Sequence, residues 1–563
     1  MIHKNMEGGS ISFDGFAGMD ASTPFGAGKA LLLKNFRLLS DGSLEKREGY
    51  RHLATLSDVA RGSYLLNEGG EQALLLVAGS KLYRVSLDDG QVKSASVFSR
   101  TEGNVTFLPM EDALYLLDGN RLYRYDGGVA VTAGQAYQAV GGTNWPIDSM
   151  TPTKIEESPN LLTGLLSYEY EGAERITFLH LATPVEEVIS LHIGQTLIPS
   201  REYYLSEDRK TIHMKAVWDG FYRPVYVTVK AMSNPDILTS RSCFSYERGG
   251  EKSLLLYGGE EGRVYESRRP TGGGEGFPVY FTSDGEWQVE GGAVQSLCRV
   301  GKQTLIASED GLRLTKEVVV ANQPPAISTV TTDIGCSAPD GVVAMDEETL
   351  LVVGGGGVYR VQIDPSLQKE CVIKLISKPI ESAMGQDFLT AARVCRDPAS
   401  GEVWFADPSG KGEVFLYRPD GDYWRIYDGI RADRLWSVGG RTVFLDGHYL
   451  NAFAADAKAD EAAYGTQEIM GVFKSHYLDF GKPESDKRLS GLLVLAALDG
   501  GALEVRASDG GYLAEFTVGD NACPTFPYLY EKHLHSGRFR FASFELRAAG
   551  AVRQRIFGAK VFV

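Results

Sequence analysis

LLLVAGSKLYRV (residues 74–85) decides the reading of this chain: an apolar run, a Gly-centred turn, then an apolar–aromatic pair. Short apolar runs on either side of a tight Gly/Asp turn are the chemistry of an antiparallel hairpin. The phrase returns as LYLLDGNRLYRY (114–125), LLLYGGEEGRVYES (254–267), TLIASEDGLRLTK (304–316), LLVVGGGGVYRVQ (350–362), VWFADPSGKGEVFLYR (403–418) and TVFLDGHYLNAF (442–453). The turns fall near residues 79, 119, 258, 310, 355, 409 and 446, giving steps of 40, 139, 52, 45, 54 and 37 residues. All but one step fit the roughly 40–50 residues of a four-stranded propeller blade. One hairpin cannot bury both its faces, whereas stacked copies can. The expectation is an all-β chain: a β-propeller of about seven blades.

Working outward, residues 1–56 read as an N-terminal extension that closes the propeller and 57–140 as its first blades. The long step marks an insertion, 141–235, whose short strands (ITFLHL, EVISLHIGQTLI, EYYLSEDRKTIHMK, PVYVTVKA) have another rhythm. A small β-sandwich hung from a surface loop is the expected form, because closure entropy grows slowly with loop length; an elaborated blade is the alternative. Residues 236–455 carry the remaining blades, and the Ala- and acid-rich 456–470 reads as a linker or one short helix. In 471–563, Leu503 and Val505 alternate with Glu504 and Arg506, the pattern of sheets with one buried and one wet face. A C-terminal β-sandwich is expected there.

The chain has 563 residues, more than one core usually serves, so two or three domains are expected. Its 73 acidic and 57 basic residues give a net charge of −16, which disfavours coating nucleic acid by phosphate neutralisation. No window approaches the ~20 apolar residues of a membrane span, and MIHKNMEGGSISFDGF lacks the apolar core of a secretory signal. The expectation is therefore a product made in the cytoplasm, with no membrane span. Six scattered cysteines, several inside apolar strand text, read as buried free thiols.

Catalytic and metal signals are weak. Gly354 to Gly357 lacks the GK[ST] and the helix of a phosphate loop and reads as a turn. His533 and His535, with His476, have no accompanying Cys or carboxylate pattern for a metal. Ser283–Trp287 and Ser308–Gly311 resemble the Asp-box turns of sialidase-type propellers, where the box is itself structural. The turn carrying Asp420 and Asp422 offers a weak calcium reading beside the plainer one of a DG turn, within a kelch-like unit bearing Trp424. The repeat tyrosines (Tyr83, Tyr123, Tyr265, Tyr359, Tyr417, Tyr449) read as packing between blades rather than a ligand cage. No catalytic residue, cofactor or metal ligand is assigned. One asymmetry stands out. From 531 to the end, seven basic residues face two acidic ones, and Arg538, Arg540, Arg547, Arg553, Arg555 and Lys560 form a candidate subunit-docking surface; a solvated strand face is the plainer alternative.

Two phrases resemble a known family. ALLLKNFRLLSDGSLEKREGY (30–50), with Asn35, Asp41, Gly42, Lys46, Arg47, Gly49 and Tyr50 at the matching positions, is similar to the opening of tailed-bacteriophage virion propeller proteins. FKSHYLDFGKPESDKRLSGLLVLA (473–496) resembles the stretch after their propeller, and 187–214 is similar to small β modules that decorate phage tail proteins. The resemblance implies a non-catalytic structural part of a virion tail, of the nozzle, DNA-stabilisation or tail-accessory type. Its partners would be further copies in a ring and other tail or portal-adaptor proteins, without sequence-specific nucleic acid. An acidic lumen would then repel DNA phosphates over the screening length of ~8–10 Å. A glycan- or receptor-binding propeller, whether adhesin or glycosidase-like, and a bacterial kelch-like interaction module are the alternatives.

Overall fold

The hairpin phrases pair as their alternation requires. Across the first turn Val77 faces Leu82 and Leu76 faces Tyr83. Gly79 (φ +53°) and Gly119 (φ +63°) supply the left-handed backbone that lets such turns close tightly. The computed structural model describes the chain apart from residues 1–9, 14–15, 26–28, 69–70, 88–89, 111–112, 120, 128–130, 134–136, 152–156, 232–234, 249, 260, 271–278, 317–323, 364–370, 409–411, 439 and 520–526. The fold is nearly all-β, with 57% strand and 4% helix. Two compact units divide it, Ala60–Asp333 and the remainder, Met1–Val59 with Ile334–Val563.

The unit Ala60–Asp333 contains four antiparallel sheets of four strands, each in simple sequence order. The first runs Ala60–Glu68, Glu71–Ala78, Lys81–Ser86, Val92–Ser96, and the second Val105–Pro109, Leu114–Asp118, Arg121–Tyr125, Val131–Ala133. The third is Ser242–Arg248, Glu251–Tyr257, Arg263–Ser267, Phe281–Gln288, and the fourth Val294–Val300, Gln303–Ser308, Gly311–Thr315, Ile327–Thr331. Neighbouring sheets share apolar clusters. Leu75 and Val77 of the first, with Phe98 just beyond it, meet Phe107, Leu116 and Tyr123 of the second; Leu117 and Leu122 meet Leu254 and Tyr265; Leu255 and Trp287 meet Val294 and Ile306. The repeat tyrosines Tyr123 and Tyr265 thus lie in the packing between sheets, with Phe98 edge-on to Tyr123 at 4.8 Å between centroids.

Between the second and third sheets the chain builds two others. A five-stranded sheet orders Ala139–Trp145, Leu165–Tyr170, Val225–Ala231, Val185–Ile193 and Thr196–Leu197; a three-stranded one orders Arg175–His180, Thr211–Asp219 and Tyr203–Leu205. They share one core around Trp145, Tyr168, Tyr170, Leu191, Ile212 and Val227.

In the other unit, the fifth sheet is Val342–Ala344, Thr349–Gly354, Gly357–Ile363, Cys371–Leu375, and the sixth begins Arg393–Arg396, Val403–Ala406, Glu413–Arg418, Tyr423–Asp428. The seventh takes three strands from Arg434–Val438, Arg441–Asp446 and Tyr449–Phe453 and its fourth from the start of the chain, Tyr50–Thr55. Residues 456–470 differ from a linker or short helix: Asp460–Ala462 and Gly465–Gln467 pair as a hairpin beside Tyr50–Thr55. Ala457, Ala459 and Asp460 are buried there, so the stretch belongs to the sheet.

The N-terminal strands before Tyr50 pair with the C-terminal ones. Ala30–Lys34 lies between the sixth sheet and Gly471–Ser475, beyond which come Ser543–Ala549, Ala502–Ser508 and Tyr512–Val518. A second sheet orders Phe36–Leu38, Leu44–Lys46, Arg555–Phe562, Gly491–Ala497 and Tyr528–His533, with Ser10–Phe13 on Arg555–Phe562. Phe13, Phe16, Leu503, Val505 and Val561 join one core, while Glu504 and Arg506 face outward as alternation dictates.

Candidate functional site

The phrase 30–50 becomes a densely bonded polar site. Asn35 adopts φ +54°, a left-handed conformation that Asn tolerates better than most residues. That bend ends Ala30–Lys34 and lets its backbone N–H donate to Ile426 O at 2.8 Å. Its amide then works from both ends. Nδ2 donates to Met470 O at 2.9 Å and to the Asp428 carboxylate, while Oδ1 accepts from Asp428 N–H at 3.0 Å and from Arg47 Nε at 2.9 Å. Arg47 completes the cluster with a two-pronged pair to Asp460, 2.8 Å from Nη1 and 2.6 Å from Nη2. Nη2 also donates to Asp428 O, and Nη1 to Glu48 O. Both charged side chains are almost fully buried, at 1% and 3% exposure. Burial pushes the Asp460 carboxyl up from its ordinary value, and the Arg47 hydrogen bonds pull it back. The guanidinium also lies over the Tyr427 ring, 5.5 Å from its centroid.

The neighbours of Arg47 are fixed equally tightly. A Cβ on Gly49 would sit 1.8 Å from Ala459 O, so only glycine lets the strand approach. Tyr50 packs edge-on against Phe444 at 4.9 Å. Lys46 is buried with its ammonium on the Gly550 carbonyl, and desolvation lowers its pKa to about 8, against the pull of Glu468. Asp41, in the Asp41–Gly42 turn, accepts from Ser43 and from Arg555. The phrase therefore binds the start of the chain to residues 426–428, 457–470 and 550–555 together. Chemically it is a structural lock.

The candidate docking residues divide into three kinds. Arg553 makes a two-pronged pair with Glu45, 3.0 and 2.9 Å, and Arg555 holds Asp41 and, at 2.9 Å, Ser43 Oγ. These two fasten the C-terminal strand to the N-terminal hairpin. Arg547 pairs with Glu545 on its own strand, and Lys560 lies over Phe562 at 5.4 Å. Arg538 is exposed, and Arg540, whose side chain is 65% exposed, reaches Asp486 at 3.4 Å.

Elsewhere, short polar turns hold several of the candidate residues. Ser308 Oγ, in the Asp-box-like turn, donates to Asp310 and Gly311 O and accepts from Arg313 at 2.6 Å. Asp422 accepts from Tyr417 and Lys374 at 2.7 and 2.9 Å, and Trp424 Nε1 donates to Ile376 O. His476 is buried while His533 and His535 are exposed, and among the described residues no three His, Cys, Asp or Glu side chains cluster as a metal site. Burial pushes the thiols of Cys243, Cys336 and Cys395 up to about 12; Cys523 lies outside the described residues. Among the described residues no helix is long and apolar enough to cross a membrane. Two partners were missed by sequence reasoning, Glu45 and Asp460. Glu45 stood within the quoted phrase, but nothing in the Ala- and acid-rich text around Asp460 separates it from the surface acids beside it.

No family model and no curated protein matches the chain. Solved structures do. A BBS1N structure in complex with ARL6DN is 10% identical, covers 73% of this chain and 98% of its own, and has a TM-score of 0.35. U3-55K is 9% identical, covering 72% and 98%, with a TM-score of 0.34. The Cps50 (Swd1) beta-propeller domain of Myceliophteria thermophila is 8% identical, covering 71% and 99%, with a TM-score of 0.35.

Proposed function

We propose that this chain is a non-catalytic structural subunit of a bacteriophage tail, of the nozzle or tail-accessory ring type, in which the five four-stranded sheets and the four-strand repeats that begin the sixth and seventh sheets are the blades of a propeller and the C-terminal strands form a sandwich. The observation that carries the reading is the seventh sheet. Its fourth strand, Tyr50–Thr55, comes from ahead of the first sheet in sequence and pairs with Tyr449–Phe453 near the end of the repeats. An open stack gives each terminal sheet its own strands, whereas a radial array gains closure when one sheet is built from both ends. The phage-like phrase supports the same reading, since Asn35, Arg47, Gly49 and Tyr50 are the residues that hold that strand in place.

A propeller whose backbone groups are internally paired is a rigid building block, and closed rings need a heterologous surface repeated around an axis. Arg538 and Arg540 are exposed and, unlike Arg553 and Arg555, do not tie the C-terminal strand to the N-terminal hairpin, which suits them to an acidic patch on a neighbouring copy or adaptor. Electron microscopy of the purified chain, with immunogold labelling of virions, tests the reading. Closed rings and label on tails are expected; a protein that stays monomeric and is absent from virions contradicts it.

A further inference from the structure

The module between the second and third sheets spends structure on exposed rings. Its turn between Thr211–Asp219 and Val225–Ala231 places Phe221 (φ +47°) and Tyr222 (φ +55°) consecutively in the left-handed region. Bulky residues are strained there, and Gly or Asn is the usual choice. The strain gains no burial, because the side chains are 63% and 72% exposed. Two neighbouring turns pack against this one: in the first, Tyr222 N–H donates to Ala173 O and a Cβ on Gly172 would strike the Tyr222 carbonyl, and in the second Gly194 N–H donates to Pro224 O. Arg223 lies over the Phe221 ring at 5.1 Å.

The adjoining outer face of the five-stranded sheet continues the pattern. Pairing register aligns Glu169, Tyr226, His192 and Leu197 in one row across four strands, and Ser167, Thr228 and Ser190 in the next. The opposite face, with Val225, Val227, Leu191 and Ile193, is core. Rings here stand among a carboxylate, an imidazole and hydroxyls, with Leu197 the exposed aliphatic side chain of the row.

We propose that this end of the inserted module binds an oligosaccharide. A pyranose presents an apolar C–H face, which stacks on an exposed ring, and a rim of hydroxyls, which needs mixed donors and acceptors; the row supplies both. Glu169, Glu171 and Asp219 stand beside Arg175 and Arg223, a rim of mixed charge that suits a neutral, hydroxyl-rich ligand better than a phosphate backbone. The inference is independent of the tail reading.

The test probes the full chain on a printed array that spans bacterial polysaccharides, plant glycans and animal glycans, then titrates the oligosaccharide it retains. Retention by the wild type is expected, with affinity falling about tenfold or more in Phe221→Gly/Tyr222→Gly and in Tyr226→Ser. Because glycine relaxes the left-handed backbone, the double variant's melting temperature should not fall. A blank array overturns the proposal, as do variants that bind like the wild type.

Discussion

At the scale of single residues, the Arg47–Asp460 pair makes the sharpest demand. Asp460→Ala leaves a guanidinium buried without its carboxylate, which costs about 3–5 kcal/mol. Asp460→Ala should therefore melt far below the wild type, while Arg47→Met/Asp460→Leu, which removes both charges, should recover much of the loss in thermal denaturation. Equal melting of the single and double variants would show that the pair is not coupled. Gly49→Ala, forced against the Ala459 carbonyl, should cost about 1–3 kcal/mol by the same assay. Lys46 gives a pH signature. Its folded pKa of about 8 lies below the ordinary 10.5, so between those values the unfolded chain holds more protons and folding gains stability as pH rises. Relative to Lys46→Met, the wild type should gain melting temperature from pH 7.5 to 10; a constant difference across that range would contradict the buried charge.

Strands and hairpins show where the sequence is legible. Leu74–Val77 and Leu82–Val85 announce their pairing because contact partners lie a few residues apart and the alternation names the buried face. The nearly all-β character follows from seven such phrases. The partners of Ala30–Lys34 and Leu44–Lys46 could not be read, since Gly471–Ser475 and Arg555–Phe562 lie hundreds of positions away and no local pattern encodes that register. The same distance hid Asp460, whose role depends on a guanidinium 413 residues earlier. Phe221 and Tyr222 were silent for another reason, because bulky side chains carry no signal of positive φ. The Arg553–Glu45 pair joins two of these distant strands and is only partly buried. Arg553→Glu should lower the melting temperature modestly, and adding Glu45→Arg should restore part of it. Failure of the exchange to restore anything would mean the pair does not fasten the strands.

For the whole molecule, acidity and docking make separate claims. With a net charge of −16, the protein is expected to leave duplex DNA unshifted in gel electrophoresis at about 0.15 M salt, and a shift would oppose a lumen that repels phosphate. Arg538→Glu/Arg540→Glu alters exposed guanidiniums, so it should abolish ring assembly while leaving the melting temperature within a few degrees. Unchanged assembly would move the interface elsewhere. The most direct measurement is cryo-electron microscopy of the purified full-length chain. The account predicts seven sheets around an axis within each subunit, with Tyr50–Thr55 completing the last, and subunits joined in a closed ring. Sheets arranged as an open row without an axis, on subunits that never associate, would contradict it.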